Sequence, residues 1–570
     1  MRFRGPDAEG RYVDADQRLG FVHRRLAIID TSDASNQPFH SLCGRYVMVF
    51  NGEIYNYESL RSELLVDGLA LKSHGDTEVI IEQFARHGAA IFPRLRGMFA
   101  LAIWDNRDQV LTLARDTYGI KPLYFSWNGE RLSFASQVKT LLVDQSISRA
   151  VDPAGYAGFQ LWGSVPAPRT MFSAISALPA GHWMQVKRDG EPGTPLAFQT
   201  LASLASAPTD APPTELRAAL QDSVRHHLIA NVEVGFFLSG GIDSASLVGL
   251  ARDCGYEHLR TFTLAFDEFR GTPSDETDFA RMAADLYGTD HQVELITRTD
   301  FEESQEQISQ DMDQPSIDGV NTWFVSRAAH RAGLKVAMSG LGGDELMCGY
   351  STFTTVPKMV RYWRGINALP FAGRLAGWAA PLASRLTGNR KLAEIPAYAG
   401  DMASAYTLFR AFHSPGQLAR MDANHLLQQG LAELDTSGRL SHLIANPQLD
   451  PAQQISLLES VQYMGNQLLV DTDWASMAHS LEVRVPLVDT ELFRAVSPHQ
   501  HQLTNGRGKA LLGNAPSKPL PDALLNREKM GFSIPVSKWT GSDASGAALG
   551  GWSESLLARY ATATGLDLPS

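Results

Sequence analysis

The chain has 570 residues, 44% of them apolar, with a formal net charge of −12 and a pI near 5.7. That length suits two to four domains with sizeable cores. The acidic balance argues against a nucleic-acid or membrane partner for the chain as a whole, leaving room only for a local basic patch. Three cysteines (Cys43, Cys254 and Cys348) follow no disulfide or zinc spacing, and there is no run of 18 apolar residues and no apolar leader. A cytoplasmic enzyme is the expectation.

Residues 1–195 read as a layered α+β domain. Tyr46 to Phe50 is a strand ending at the turn dipeptide Asn51-Gly52, and Met98–Trp104 and Val110–Ala114 are two more. Tyr57–Leu65 and Thr77–His87 have helical spacing, with Val79, Ile80 and Phe84 on one face of the second. Leu123–Ser126 and Leu132–Phe134 flank Asn128-Gly129, a hairpin signal. Residues 196–213 are assigned to a linker because Leu201 to Pro213 is Ala/Ser/Pro-rich. Thr214 then suits an N-cap for a helix with Leu216, Leu220, Val224 and Leu228 in phase.

From residue 232 strand and helix alternate: strand Val232–Leu238, helix Ser244–Arg252, strand Thr261–Phe266, helix Thr277–Tyr287 and strand Leu334–Ser339. This predicts an α/β domain over 214–540 with a parallel sheet. Beyond 355 the chain reads as mostly helical, and 541–570 as a fraying tail.

Chemistry concentrates at two strand ends. Ser239-Gly240-Gly241-Ile242-Asp243-Ser244 follows a buried strand and opens a helix, so its glycines admit an anion and its free N–H groups suit a phosphate. An aspartate beside an anion calls for a bridging cation, Mg²⁺. A second strand ends at Ser339-Gly340-Leu341-Gly342-Gly343-Asp344-Glu345, and Asp344 is the natural second ligand with Asp243. Two such ends in one sheet are expected to face one nucleotide. The loop lacks the P-loop lysine, which points to ATP cleaved between its α- and β-phosphates.

With these motifs the chain resembles the glutamine-dependent asparagine synthetases, from Arg4 to about Trp539. Supporting segments are Arg4-Gly5-Pro6-Asp7, Asn51-Gly52-Glu53-Ile54-Tyr55-Asn56, Gly75-Asp76-Thr77-Glu78 and Met477 through Asp489. The resemblance implies an N-terminal-nucleophile sandwich, then an adenine-nucleotide-hydrolase-like synthetase with a helical C-terminal part. It implies adenylation of the aspartate side chain by Mg·ATP, with ammonia from glutamine crossing an internal tunnel to displace AMP. By resemblance Arg25 holds the glutamine carboxylate, Glu53 and Asp76 its amino group, and Asn51 and Gly52 form an oxyanion hole. Ser239, Gly240, Gly241, Asp243 and Ser244 then hold the ATP phosphates. Leu238, Leu264, Ser339 and Gly340 contact its adenosine, and Lys509 offsets charge on the leaving pyrophosphate. Family members are often homodimers.

Two departures stand out. The family nucleophile is an N-terminal cysteine about 25 positions ahead of Arg-Gly-Pro-Asp, whereas Met1 lies three residues before Arg4. The expectation is that Met1 is an internal methionine, and that the domain as written lacks its first strand and leaves apolar faces bare; a short enzyme using free ammonia is the alternative. Leu341 stands where relatives that use aspartate often carry Glu and those that close β-lactams carry Tyr, and it can be neither acid nor base. The acceptor therefore stays open between aspartate and another carboxylate, such as a cell-surface sugar or a secondary metabolite. A non-catalytic nucleotide- or glutamine-binding relative is the third reading. The segment Asp311–Trp323 is expected to line the acceptor pocket.

Overall fold

The structure is a computed structural model. It describes every residue except 188–190, 207–215, 370, 388–389, 422–424, 528–534, 536–538, 540–546 and 569–570.

The front half is built on an antiparallel sheet of six strands. Its spatial order is Leu196–Ala197, His182–Lys187, Val110–Arg115, Gly97–Asp105, Tyr46–Ile54 and Phe39–His40. The long central pair runs in continuous register from Tyr46↔Asp105 to Ile54↔Gly97. Most of its residues are apolar and buried, because both faces of the sheet are covered. One face meets the helices Tyr57–Val66 and Asp76–His87 through Val79, Ile80 and Phe84. The other meets Phe21 and Phe134 of two small sheets, with Leu123 beside them. Both faces of this central sheet are thus covered, while Phe3, Val13 and Val22 near the start of the chain are exposed. The Asn128-Gly129 hairpin forms, its turn closed by Asn128 Oδ1 accepting from the N–H groups of Glu130 and Arg131. The hairpin Ala8–Val13/Gly20–Arg25 has no counterpart in the sequence reading, because its strands are largely polar and half exposed.

The second half holds five parallel strands in the order Asp290–Ile296, Arg260–Phe266, Val234–Phe237, Val336–Met338 and Glu482–Arg484. Chain order runs outward from Val234–Phe237 in both directions, so the switch point of this doubly wound sheet lies at that strand. Its register with Val336–Met338 (Phe236↔Met338) sets the two Ser-Gly strand ends side by side. The helices Ile242–Asp253, Thr277–Tyr287 and Val320–Arg331 complete the layers, and among the described residues the regular elements beyond 343 are helices apart from the strand Glu482–Arg484.

Two boundary expectations need correction. Within the assigned linker, Leu201–Ala205 is a helix closed by a Thr200/Ser203 capping box, with Leu201 and Leu204 buried; Thr214 lies outside the described residues. In place of a fraying tail, Ala547–Thr564 is an 18-residue helix. Its Tyr560 is buried, donates to the Asp313 carbonyl at 2.9 Å and packs against Phe172. Leu556 and Leu557 supply apolar burial that the Gly/Ala/Ser-rich composition hides.

Buried ion pairs join the halves. Arg4 grips Asp473 at 2.6 and 2.9 Å. Arg96 forks onto Asp489 at 2.8 and 3.1 Å and reaches Asp222 at 2.6 Å. Burial pushes Asp489 up, but Arg96 and the N–H of Leu492 outweigh it and hold its carboxyl below the usual range. Removing the guanidinium leaves a buried carboxylate without its partner. Arg96→Ala is therefore expected to cost ~3–5 kcal/mol in urea unfolding. Because the Asp489 pKa is depressed, this gap is full above the ordinary aspartate pKa of about 3.9 and closes as pH falls below it. A loss under ~1 kcal/mol at neutral pH would show that the pair does not hold the halves together.

Candidate active site

The Ser239–Ser244 loop is knitted by its own serines. Ser244 Oγ accepts from Ser239 N–H at 3.1 Å and lies 3.0 Å from Ser239 Oγ, which accepts from Gly241 N–H at 3.2 Å. The helix Ile242–Asp253 starts at Gly241 without a side-chain cap, so its first N–H groups remain available to an anion. The second loop leans directly on the first. A Cβ on Gly340 would come within 2.7 Å of Ser244 N, so only glycine allows this approach.

Asp243 and Asp344 meet at Lys509. The Lys509 ammonium lies 2.5 and 2.7 Å from the two Asp243 oxygens and 2.7 Å from Asp344 Oδ1. Burial lowers the lysine pKa, yet the two carboxylates more than offset that and raise it. Glycines make the space: a Cβ on Gly343 would strike the Asp243 carboxylate at 2.5 Å, and one on Gly349 would strike Asp344 Oδ1 at 2.1 Å. No group of three or more His, Cys, Asp or Glu suited to a metal occurs among the described residues. The donor set still fits Mg²⁺, a hard cation commonly held by one or two carboxylates plus substrate phosphates. Asp243 and Asp344 would hold it.

A single cavity of about 1060 Å³ runs from these groups into the protein. Leu238, Ser239, Gly240, Gly241, Asp243, Ser244, Leu264, Ser339 and Gly340 all line it, together with Asp344 and Lys509. Its inner part holds residues that the sequence reading did not single out. Arg410 is fixed by Glu459 at 2.9 Å and stacked on Tyr463 and Tyr350. Asp471 accepts from Ser316 Oγ at 2.7 Å and Trp474 Nε1 at 2.8 Å. Burial, then the charge of Asp318, pushes Asp471 up to about 8. Gln462 Nε2 and Ser164 Oγ are buried in this wall without a hydrogen-bond partner. Ser164 comes from the front half, so both halves shape the chamber. Of the segment Asp311–Trp323, residues Ile317–Thr322 line the cavity, with Leu341 nearby. Asp313 and Gln314 turn the other way: Asp313 accepts from Val138 and Lys139 N–H, and Gln314 from Met171 N–H. No local sequence signal marks Arg410, because it is brought in by a helix outside any motif.

A second polar cluster lies at the end of the strand Tyr46–Ile54. Gly52 has φ +149, and a Cβ there would meet Met98 O at 2.0 Å. Asn51 Nδ2 donates to Ser136 Oγ at 3.4 Å. Glu53 and Asp76 are both 5% exposed. Asp76 accepts from Ile54 N–H at 3.0 Å, and burial raises it to about 6. Burial, then Glu482 and Asp76, pushes Glu53 well up, and its Oε2 has no hydrogen-bond partner. Among the described residues, the ion-pair partners of Glu53, Asp76 and Glu482 are Arg484, 3.8 Å from Glu53 and 2.9 Å from Glu482, and Lys121, 3.7 Å from Glu482. Three buried carboxyls thus face two cations, and an incoming ammonium would favour the ionised forms of Glu53 and Asp76. Arg25 differs from expectation: four of its donors go to the carbonyls of Ile29, Asp30 and Ser32 and to Asn36 Oδ1. In this conformation it braces its own loop, with only Nε uncommitted.

Comparison with known proteins agrees with both halves. Residues 215–559 match the family model described as asparagine synthase, and residues 1–196 match that of the glutamine amidotransferase domain. Asparagine synthetase [glutamine-hydrolyzing] 1 of Bacillus subtilis is 30% identical over 555 residues, covering 94% of this chain and 83% of that protein. A putative asparagine synthetase [glutamine-hydrolyzing] of Mycobacterium tuberculosis is 31% identical over 567 residues, 95% of this chain and 83% of that protein. Amidase chry2 of Gibberella zeae is 31% identical over 376 residues, 61% of this chain and 54% of its own. The chain belongs to the asparagine synthase family and carries that family's synthetase region behind a glutamine amidotransferase domain.

Proposed function

We propose that the protein is an ATP-dependent amide ligase that converts aspartate to asparagine through an aspartyl-adenylate, with ammonia from glutamine if a nucleophile upstream of Met1 exists and free ammonia otherwise. The observation that carries this reading is the convergence of two strand ends, each with its own aspartate, on one buried lysine. That geometry suits a Mg²⁺-pyrophosphate leaving group better than a hydrolysed γ-phosphate.

The pyrophosphate part of ATP lies at the N-terminus of Ile242–Asp253, in reach of its N–H groups and the Ser239 and Ser244 hydroxyls. Asp243 and Asp344 would hold Mg²⁺, which would supply charge neutralisation to the phosphates. The aspartate side-chain oxygen bonds to the α-phosphorus as the bond to pyrophosphate breaks, and Lys509 balances the charge that departs. Neutral ammonia then attacks the acyl carbon and AMP leaves. Leu341 contributes dryness rather than proton transfer, which protects the acyl-adenylate from water. The inner chamber offers a zwitterion both signs: Arg410 for the α-carboxylate, and Asp318 with Asp471 for the ammonium.

In the front domain, read as an N-terminal-nucleophile sandwich, Glu53 and Asp76 receive the glutamine ammonium. The Asn51 amide and Gly52 N–H are the oxyanion donors. Arg25 meets the glutamine carboxylate after giving up part of its carbonyl set.

Pyrophosphate release with Mg·ATP and aspartate, run with ammonium and with glutamine, tests the reading. Aspartate-dependent pyrophosphate matched by asparagine is expected, and Lys509→Ala should lower kcat ~100-fold or more. Pyrophosphate release indifferent to aspartate would defeat it. The acid cluster gives a separate expectation for glutamine. An arriving ammonium favours ionised Asp76, so glutamine binding should weaken as pH falls through about 6. Calorimetric titration of glutamine at several pH values reads this directly, and a flat profile would remove Asp76 from the ammonium site.

A further inference from the structure

Between Leu346 and Ala393 the sequence has seven lysines and arginines and no aspartate or glutamate, in a chain whose net charge is −12. Two helices occupy this stretch. The first, Thr352–Asn367, is an ordinary amphipathic helix: Phe353, Val356, Val360 and Trp363 are buried, and Lys358, Arg361 and Arg364 face outward. The second, Ala372–Thr387, reverses the pattern. Leu375 is 70% exposed, Trp378 89%, Leu382 61% and Leu386 79%. At 100° per residue these four share an arc of about 80°. Leu369 and Phe371, 61% and 73% exposed, extend the stripe toward the first helix, and exposed Arg385 falls beside it. A contiguous exposed apolar patch of this kind marks an interaction surface.

We infer that this helical hairpin docks on the surface of an anionic lipid bilayer. The second helix has 16 residues, and no helix among the described residues is long and apolar enough to cross a membrane, so the hairpin lies on the bilayer without spanning it. Tryptophan, leucine and phenylalanine on one face, with arginine at the edge, is the make-up of an interfacial helix. Charge decides between occupants. A second copy meeting this face about a two-fold axis would set Arg385 and its copy on the same face, whereas an anionic headgroup layer answers Arg385 together with the exposed Lys358, Arg361 and Arg364 of the neighbouring helix. The hairpin begins two residues after Tyr350, which lines the cavity, so the docked face belongs to the synthetase end of the molecule.

Vesicle flotation of the full chain tests the proposal, using an equimolar phosphatidylglycerol–phosphatidylcholine mixture against phosphatidylcholine alone at low salt. The expected result is flotation with the mixture only, reduced by added salt. The pair Trp378→Asp/Leu382→Asp and the pair Arg361→Glu/Arg364→Glu should each cut the bound fraction about ten-fold. Trp378→Phe should keep it, and all variants should keep vesicle-free pyrophosphate release and melting temperature. No flotation with the anionic mixture, or flotation that both double variants leave intact, overturns the proposal. Self-association in sedimentation velocity that Trp378→Asp/Leu382→Asp abolishes would assign the stripe to a second copy and overturn it as well.

Discussion

The arrangement turns on one arginine that never reaches water. Arg484, 0% exposed, sits on the last strand of the parallel sheet. Its side chain donates to the His227 and Ile229 carbonyls at 2.8 and 2.6 Å and to Glu482 at 2.9 Å, with the Tyr55 ring 5.5 Å from its guanidinium. Its Nη2 lies 3.8 Å from Glu53 in the front domain. Its carbonyl accepts from Ser339 N–H at 2.9 Å, the residue that opens the second nucleotide loop. A buried guanidinium costs several kcal/mol in lost hydration unless it is fully engaged. Here Nε and Nη1 are engaged while Nη2 faces Glu53, which ties together the edge of the sheet, the helix end at 227–229 and the acid cluster of the front domain. Within this arrangement Glu53 Oε2 and Arg484 Nη2 have no hydrogen-bond partner, and both lie where the two halves meet.

Fixing that edge places the chemistry. The strand Val336–Met338 is held between Glu482–Arg484 and Val234–Phe237, so its carboxyl end cannot drift relative to the first loop. The close approach of Gly340 to Ser244 depends on this register, and so does the space that Gly343 and Gly349 leave for the two carboxylates. Lys509 arrives from a helix far along the chain, kept close by Gly508, where a Cβ would collide with Met347 O at 2.1 Å. Close backbone packing at Gly508 and the ion pairs with Asp243 and Asp344 thus place the lysine together.

What the sequence made legible follows from this division. Runs of apolar residues with a clear period declared the central strands and the first helices, and Gly-Ser strand ends declared where an anion belongs. Glu482–Arg484 was not read as a strand because two of its three residues are charged, and only the facing charges make their burial tolerable. Arg410 and Asp471 were missed for a related reason: each is an ordinary polar residue until tertiary packing turns it into a cavity wall. Asp313 and Gln314 misled in the opposite sense, since a polar segment near the pocket bonds to the neighbouring domain. The terminal helix shows the limit of composition, because Leu556, Leu557 and Tyr560 are few but all land on one seam.

The same limit applies to charge. A net value of −12 describes no surface in particular, because carboxylates and cations are segregated. Part of the acidic excess is internal: Glu53, Asp76 and Glu482 in one cluster, and Asp243, Asp344, Asp318 and Asp471 along the cavity. Each group is short of positive charge in a way that substrate or metal cations relieve. These carboxylates cost stability when the sites are empty, a tension that binding sites can sustain and structural cores cannot. The basic excess between Leu346 and Ala393, by contrast, includes an exposed set, Lys358, Arg361, Arg364 and Arg385, in a stretch with no acidic residue of its own. One chain therefore attracts small cations inward and presents a cationic face outward, and its overall acidity predicts neither behaviour.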